Sequence, residues 1–153
     1  YGEAVRWAAS EGIAGGYGGG LFGPDDPITR EQLAVMLYRY AGSPASAGSL
    51  AGYADAASVS DWAREGMNWA VEKKISDGAN PEGSITRAEV AVIVNHMLGR
   101  TPDQSFVDRS LDRLVSFSDL NSSHWAFYPI MEASNSHGHI KAGGSEQWTG
   151  INN

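Results

Sequence analysis

The feature that most constrains this chain is that it repeats itself. Trp7-Ala8-Ala9-Ser10-Glu11-Gly12-Ile13 stands against Trp69-Ala70-Val71-Glu72-Lys73-Lys74-Ile75. Further on, Ile28-Thr29-Arg30-Glu31-Gln32-Leu33-Ala34-Val35 stands against Ile85-Thr86-Arg87-Ala88-Glu89-Val90-Ala91-Val92. Ile13 and Ile28 lie fifteen positions apart and Ile75 and Ile85 only ten, so the second copy has a loop five residues shorter. A third opening is visible where Phe117-Ser118-Asp119 and His124-Trp125-Ala126 parallel Tyr53-Ala54-Asp55 and Asp61-Trp62-Ala63. Self-similarity of this kind belongs to chains whose units are single supersecondary elements that bury their apolar faces against one another.

Each unit reads as helix, loop, helix. In the second helices, Leu33, Met36, Leu37 and Tyr40 fall at i, i+3, i+4 and i+7, as do Val90, Ile93, Val94 and Met97. Gly42 and Gly99 end these helices in the position a C′ glycine takes. The first helix of the second unit is predicted over Trp62 to Lys73, with Ser60 or Asp61 as N-cap. Helices this short are marginal alone, so their stability must come from packing on neighbours. Repeated tryptophans at helical positions are read as core, above all Trp7 and Trp69. Trp62 and Trp125, nearer the unit openings, are the better candidates for a groove wall. The expected architecture is all-α, with three helical pairs sharing one core.

Composition excludes several classes. The net charge is −7 with no basic face, so nucleic acid is not an expected partner. There is no Cys, which excludes disulfides, thiolate chemistry and cysteine-built zinc sites. No apolar run is long enough to cross a membrane, so no membrane insertion is expected. Tyr1 falls where Ala63 falls in the second copy, so the chain is expected to be a piece of a longer polypeptide.

Chemistry concentrates in Thr29-Arg30-Glu31-Gln32 and Thr86-Arg87-Ala88-Glu89. Both fit a capping box, which accounts for the Thr, Gln and Glu without any ligand. It does not account for the arginines. A cation in the first turn faces the positive end of the helix dipole and costs about 0.3–1 kcal/mol there. An Arg beside helix amides suits a carboxylate or phosphate. A purely structural alternative pairs Arg30 with Asp25 or Asp26, and Arg87 with Glu82, to fix the loops.

Taken together, these segments resemble the S-layer homology (SLH) repeats of bacterial surface proteins. Unit one carries Gly12-Ile13-Ala14-Gly15-Gly16, Phe22-Gly23-Pro24 and Ile28-Thr29-Arg30-Glu31-Gln32. Unit two carries Tyr53-Ala54-Asp55, Trp62-Ala63, Ile75-Ser76-Asp77-Gly78 and Ile85-Thr86-Arg87-Ala88-Glu89. Unit three carries Phe117-Ser118-Asp119 and His124-Trp125-Ala126. The resemblance implies a pseudo-threefold arrangement with grooves between neighbouring repeats. It divides the chain into a first repeat over 1–42, incomplete at its start, a linker over 43–52, a second repeat over 53–100, a linker over 101–116 and a degenerate third repeat over 117–153. It also implies that the Thr-Arg-Ala-Glu arginine binds a secondary cell-wall polysaccharide, often one bearing pyruvate ketals. The candidate polysaccharide-binding residues are therefore Arg30, Arg87, Thr29, Thr86, Gln32, Glu89, Gly16, Gly78, Trp62 and Trp125. The function implied is non-covalent anchoring of a larger exported protein at a bacterial cell surface, in the cell wall or S-layer. The tail Trp148-Thr149-Gly150 resembles ends seen in the family in Gram-positive bacteria. Three departures stand out: unit three lacks Ile-Thr-Arg, Lys74 replaces a family glycine, and Gln32 replaces a family Glu. At most two binding sites, unequal, are expected.

Other features carry less. Gly15-Gly16-Tyr17-Gly18-Gly19-Gly20 lacks the Gly-Lys-Ser/Thr ending of a phosphate loop and reads as a turn. His124, His137 and His139, with Asp119, match no zinc spacing, and no acidic run has EF-hand spacing, so no metal or cofactor is expected. No Ser or Asp sits in a recognisable catalytic context, and the chain is read as non-enzymatic. The competing class is a self-assembly or protein-docking module of a surface layer, with homo-assembly in place of a glycan.

Overall fold

The computed structural model describes residues 2–152. Tyr1, which the repeat alignment sets against Ala63, and Asn153 lie outside them. The chain forms two compact bodies, Tyr1–Ile85 and Thr86–Asn153.

In the N-terminal body, α1 (Gly2–Ser10), α2 (Arg30–Tyr40) and α3 (Arg64–Glu72) are joined by loops and by 3₁₀ turns at Ala56–Ser58 and Asp61–Ala63. The core lies between α2 and α3, where Leu33, Ala34 and Val35 meet Met67, Trp69, Ala70 and Val71. Gly66 sets how closely the helices approach: a Cβ there would stand 2.8 Å from Val35 Cγ2 and 3.0 Å from Val35 Cα. The predicted apolar stripe of α2 is rotated in fact, since Ala34 and Val35 are buried while Tyr40 is exposed. Of the two tryptophans assigned to the core, only Trp69 is there, at 4% exposure. Trp7 is 51% exposed, because α1 buries none of its side chains and Trp7 meets Tyr40 edge-on at 6.4 Å.

The helix ends follow from local geometry. After α3, the Ile75 amide donates to Ala70 O and that of Lys74 to Val71 O, a Schellman ending that needs a left-handed residue at position 74. Lys74 adopts it with φ 56°, as Gly12 does after α1 with φ 70°. The Lys in place of glycine therefore keeps the turn and bears the strain of a left-handed side-chain residue. Gly42 closes α2 and Gly99 the helix that ends at Met97 in the same way, as their positions predict. The first helix of the second repeat starts as 3₁₀ turn Asp61–Ala63, and its N-cap Ser60 makes no side-chain cap.

The C-terminal body contains α4 (Arg87–Met97), α5 (Gln104–Arg109), α6 (Phe127–Ser134) and an antiparallel hairpin of β1 (His137–Ala142) and β2 (Ser145–Ile151). Val107, Leu114, Phe127, Met131 and Trp148 form its core, with Phe106, Leu120, Tyr128 and Ile151 packed around them. Burial of each such side chain contributes about 1.5–3 kcal/mol. The third opening is structurally parallel to the second. Ala63 and Ala126 are both fully buried, and α3 and α6 begin at the next residue.

The parallel then stops, and here the all-α expectation fails. Among the described residues there are six α-helices and a two-stranded sheet, a mixed α and β chain. The third repeat supplies one helix and then a hairpin, so three helical pairs are not what the chain builds. The cause is local. Gly143 and Gly144, with φ 60° and 87°, make the tight turn that a two-residue hairpin requires. The alternation across β2, with Glu146 and Trp148 buried and their neighbours exposed, is that of a strand.

Candidate functional site

The two Thr-Arg segments do fold as capping boxes. Thr29 Oγ1 accepts from the Gln32 amide at 3.2 Å, and Gln32 Oε1 accepts from the Thr29 amide at 2.9 Å. Thr86 and Glu89 do the same at 3.2 and 2.8 Å. The four residues Thr29, Gln32, Thr86 and Glu89 are thus engaged in holding the helix starts, with Thr86 Oγ1 also donating to Glu89 Oε2 at 2.8 Å.

The two helix starts differ in what meets their remaining amides. At α2, the Arg30 amide donates to Gly83 O at 3.0 Å and the Glu31 amide to Pro81 O at 2.9 Å. The Arg30 guanidinium donates to Ser84 O at 2.9 Å. Thr29 and Ser84 pair as an isolated bridge. The shortened loop of the second repeat therefore occupies the α2 start, and the sequence-based picture of an arginine beside free helix amides does not hold there. One fastening partner of Arg30 is therefore a backbone carbonyl fifty-four residues away.

At α4, among the described residues of the C-terminal body, no carbonyl meets the amides of Arg87 and Ala88, and the Arg87 guanidinium is exposed with no ion pair. Arg87 and Ala88 line a groove of about 570 Å³ within the C-terminal body. Phe117, Asp119 and His124 form other parts of its wall. His124 Nδ1 accepts from the Ala126 amide at 3.1 Å, which leaves Nε2 as the protonated nitrogen of the neutral ring. Trp125, 64% exposed, lies beside His124 with ring centroids 5.8 Å apart. One groove thus holds a cation, two unmet helix amides, a carboxylate, an imidazole and the aromatic Phe117. That set can grip an anionic group, bond to hydroxyls and cover an apolar ring face.

Gly16, Gln32 and Trp62 line a separate groove of about 610 Å³ in the N-terminal body. Arg30 is not among its lining residues; Arg39 and Asp26 are. Gly16 has no room for a side chain, because a Cβ would strike Leu21 O in the turn that Tyr17 and Leu21 close. Gly78 packs on Tyr53, where a Cβ would meet the ring at 2.6 Å. Trp62 is 57% exposed.

Sequence reasoning missed Glu31, which is 3% exposed and accepts from the amide and hydroxyl of Ser60 at 3.0 and 2.8 Å. Its position opposite Ala88 in the second copy was the available signal. The sequence marks Phe117, Asp119 and His124 as the third opening and gives His124 and Asp119 no zinc spacing; all three share the Arg87 groove.

The repeated helix starts define a class. Residues 1–34 and 52–91 match the family model of the S-layer homology domain, so the chain carries two segments of that domain. It is 27% identical over 139 residues to the cellulosome-anchoring protein of Acetivibrio thermocellus, covering 84% of this chain. It is 29% identical over 154 residues to cell surface glycoprotein 1 of the same organism, covering 90% of this chain. The chain spans 29% and 6%, respectively, of the lengths of these relatives. No helix among the described residues is long and apolar enough to cross a membrane.

Proposed function

We propose that the chain is a non-enzymatic anchoring module of a bacterial cell surface. It would bind an anionic secondary cell-wall polysaccharide and hold a larger exported protein there without a covalent bond. The observation that carries this reading is Arg87, exposed at a helix start whose first amides are unmet, on the wall of a groove that also offers an acid, an imidazole and an aromatic ring. A pyruvate ketal puts a carboxylate on a sugar, and such a group suits both the guanidinium fork and the α4 dipole. Asp119 and His124 suit sugar hydroxyls, and Phe117 and the neighbouring Trp125 suit the ring faces. The S-layer homology segments and the resemblance to a cellulosome-anchoring protein and a cell surface glycoprotein support the same reading. The N-terminal groove with Gly16, Gln32 and Trp62 is the second, weaker site, since its helix start is already filled.

The test is sedimentation of the chain with purified, protein-free cell walls before and after mild acid removal of pyruvate ketals. Binding that falls by about tenfold or more on deketalation, and likewise in Arg87→Ala, supports an anionic-glycan anchor. Binding indifferent to both treatments overturns it in favour of a protein-docking module.

A further inference from the structure

The histidine-bearing end of the C-terminal body plays no part in wall binding as read above. Glu132 on α6 and Glu146 on β2 have side chains only 1% exposed. One guanidinium serves both: Arg100 Nη2 lies 2.7 Å from Glu132 Oε1, and Nε lies 3.0 Å from Glu146 Oε2. Two buried carboxylates against one fixed cation leave a charge deficit that a dry interior penalises. Glu146 Oε1 is fully buried and takes no hydrogen bond. Two imidazoles stand beside these carboxylates, with His139 Nε2 3.4 Å from Glu146 Oε1 and His137 Nε2 3.1 Å from Glu132 Oε1.

We propose that His137, His139 and Glu146 form a binding site for a divalent transition-metal ion of the zinc type. The ligand atoms of the three all lie within 4.8 Å of one another. The 3.4 Å edge between His139 Nε2 and Glu146 Oε1 is what a tetrahedral ion requires. With bonds of about 2.0–2.2 Å, neighbouring ligand atoms stand roughly 3.3–3.6 Å apart. His137 Nδ1 lies 2.7 Å from Asn135 O, so donation to that carbonyl leaves the Nε2 lone pair for the ion. Metal-bound histidines are usually fixed by such a bond from the other nitrogen. The ring is also stacked on Trp148, with centroids 3.6 Å apart and planes 12° apart.

Arg100 Nη2, 2.7 Å from His137 Nε2, holds that lone pair when no ion is present. The ion takes over that lone pair only as Nη2 swings off Nε2, while Arg100 Nε keeps its bond to Glu146. Burial pushes the Glu146 carboxyl up, but Arg100 and His139 outweigh it and hold the group below its ordinary value, ionised as a ligand must be. Two imidazoles and one carboxylate leave a fourth position for water, and His139, 33% exposed, marks the way in. Nitrogen and oxygen donors without thiolate suit Zn²⁺ or Co²⁺ better than Ca²⁺ or Cu⁺.

The experiment is titration of the chelator-treated full chain with Zn²⁺ by calorimetry and thermal unfolding. Co²⁺, read by its visible d–d absorption, serves as the spectroscopic probe. Saturable binding of one ion, a rise in Tm of about 5 °C or more near 100 Kd, and a tetrahedral Co²⁺ spectrum are expected. His139→Ala, at a partly exposed position, lowers affinity by about tenfold or more while its far-UV dichroism stays unchanged. Glu146→Gln does the same. The proposal is overturned by absence of saturable binding in the parent chain, or by affinity that survives both His139→Ala and Glu146→Gln.

Discussion

The carboxylate of Glu31, in the first turn of α2, accepts both the amide and the hydroxyl of Ser60, the residue that opens the 3₁₀ turn before α3. A side chain from one helix start thus caps the start of another helix, which explains why Ser60 makes no cap of its own. Glu31→Ala removes two bonds to a charged acceptor and leaves the half-buried Ser60 donors without it. We expect it to lower stability by about 3 kcal/mol, read as a shift in the urea midpoint without a change in slope. An unshifted midpoint would show that water replaces the carboxylate at no cost.

The two repeat arginines should part company on substitution. Arg30→Ala loses the bond to Ser84 O and is expected to destabilise the N-terminal body by about 1–2 kcal/mol. Arg87→Ala removes an exposed side chain, with a stability change within about 0.5 kcal/mol, while wall binding falls. Thermal unfolding and wall sedimentation of the two variants, run side by side, read both effects. Equal destabilisation by the two would assign Arg87 a fastening role instead.

Acid should loosen the segment after α2 through one residue. Glu72 accepts from Ser46 Oγ at 2.6 Å and from the Ala47 and Gly48 amides at 2.9 and 3.0 Å. The Ser46 hydroxyl, then Lys73 and the Gly48 amide, hold its carboxyl down to about 2, from an ordinary value of 4.5. Since the folded value is the lower one, this stabilisation is complete above about pH 4.5 and lost as pH falls towards 2. Amide resonances of Ala47 and Gly48 should titrate with a midpoint near 2, and Glu72→Gln should abolish that titration. A midpoint near 4.5 would mean that the anchoring bonds do not form in solution.

Helix propensity and packing make opposite predictions at Gly66. Ala is better than Gly inside a helix by about 1 kcal/mol. Yet the added methyl would press on the Val35 side chain and backbone. We expect Gly66→Ala to destabilise by about 1–3 kcal/mol, measured by chemical denaturation. A stabilised variant would show that α2 and α3 can move apart freely.

What could be read from the residues was whatever repeats or caps. The starts of α2 and α4, their glycine ends and the parallel opening at Trp125-Ala126 all follow from short-range rules. The hairpin was legible too, in Gly143-Gly144 flanked by alternating runs, but the expectation of a third helical pair displaced that signal. The apolar period of α2 gave the helix and not its buried face, because which face is covered depends on α3. The filling of the α2 start by Pro81, Gly83 and Ser84 was beyond any local reading, since it joins residues some fifty positions apart.

That filled helix start makes the two repeats non-interchangeable parts. The carbonyls that close it come from the short loop, whose Pro81 and Gly83 turn back immediately before Ile85. A chain recombined to carry the longer first-repeat loop in both places would have all the same motifs, in the same order, and no such latch. Duplicating or shuffling these units is therefore an operation on connectors as much as on helices. A designer who counted only the Thr-Arg signatures would assemble a chain with the right words and the wrong grammar.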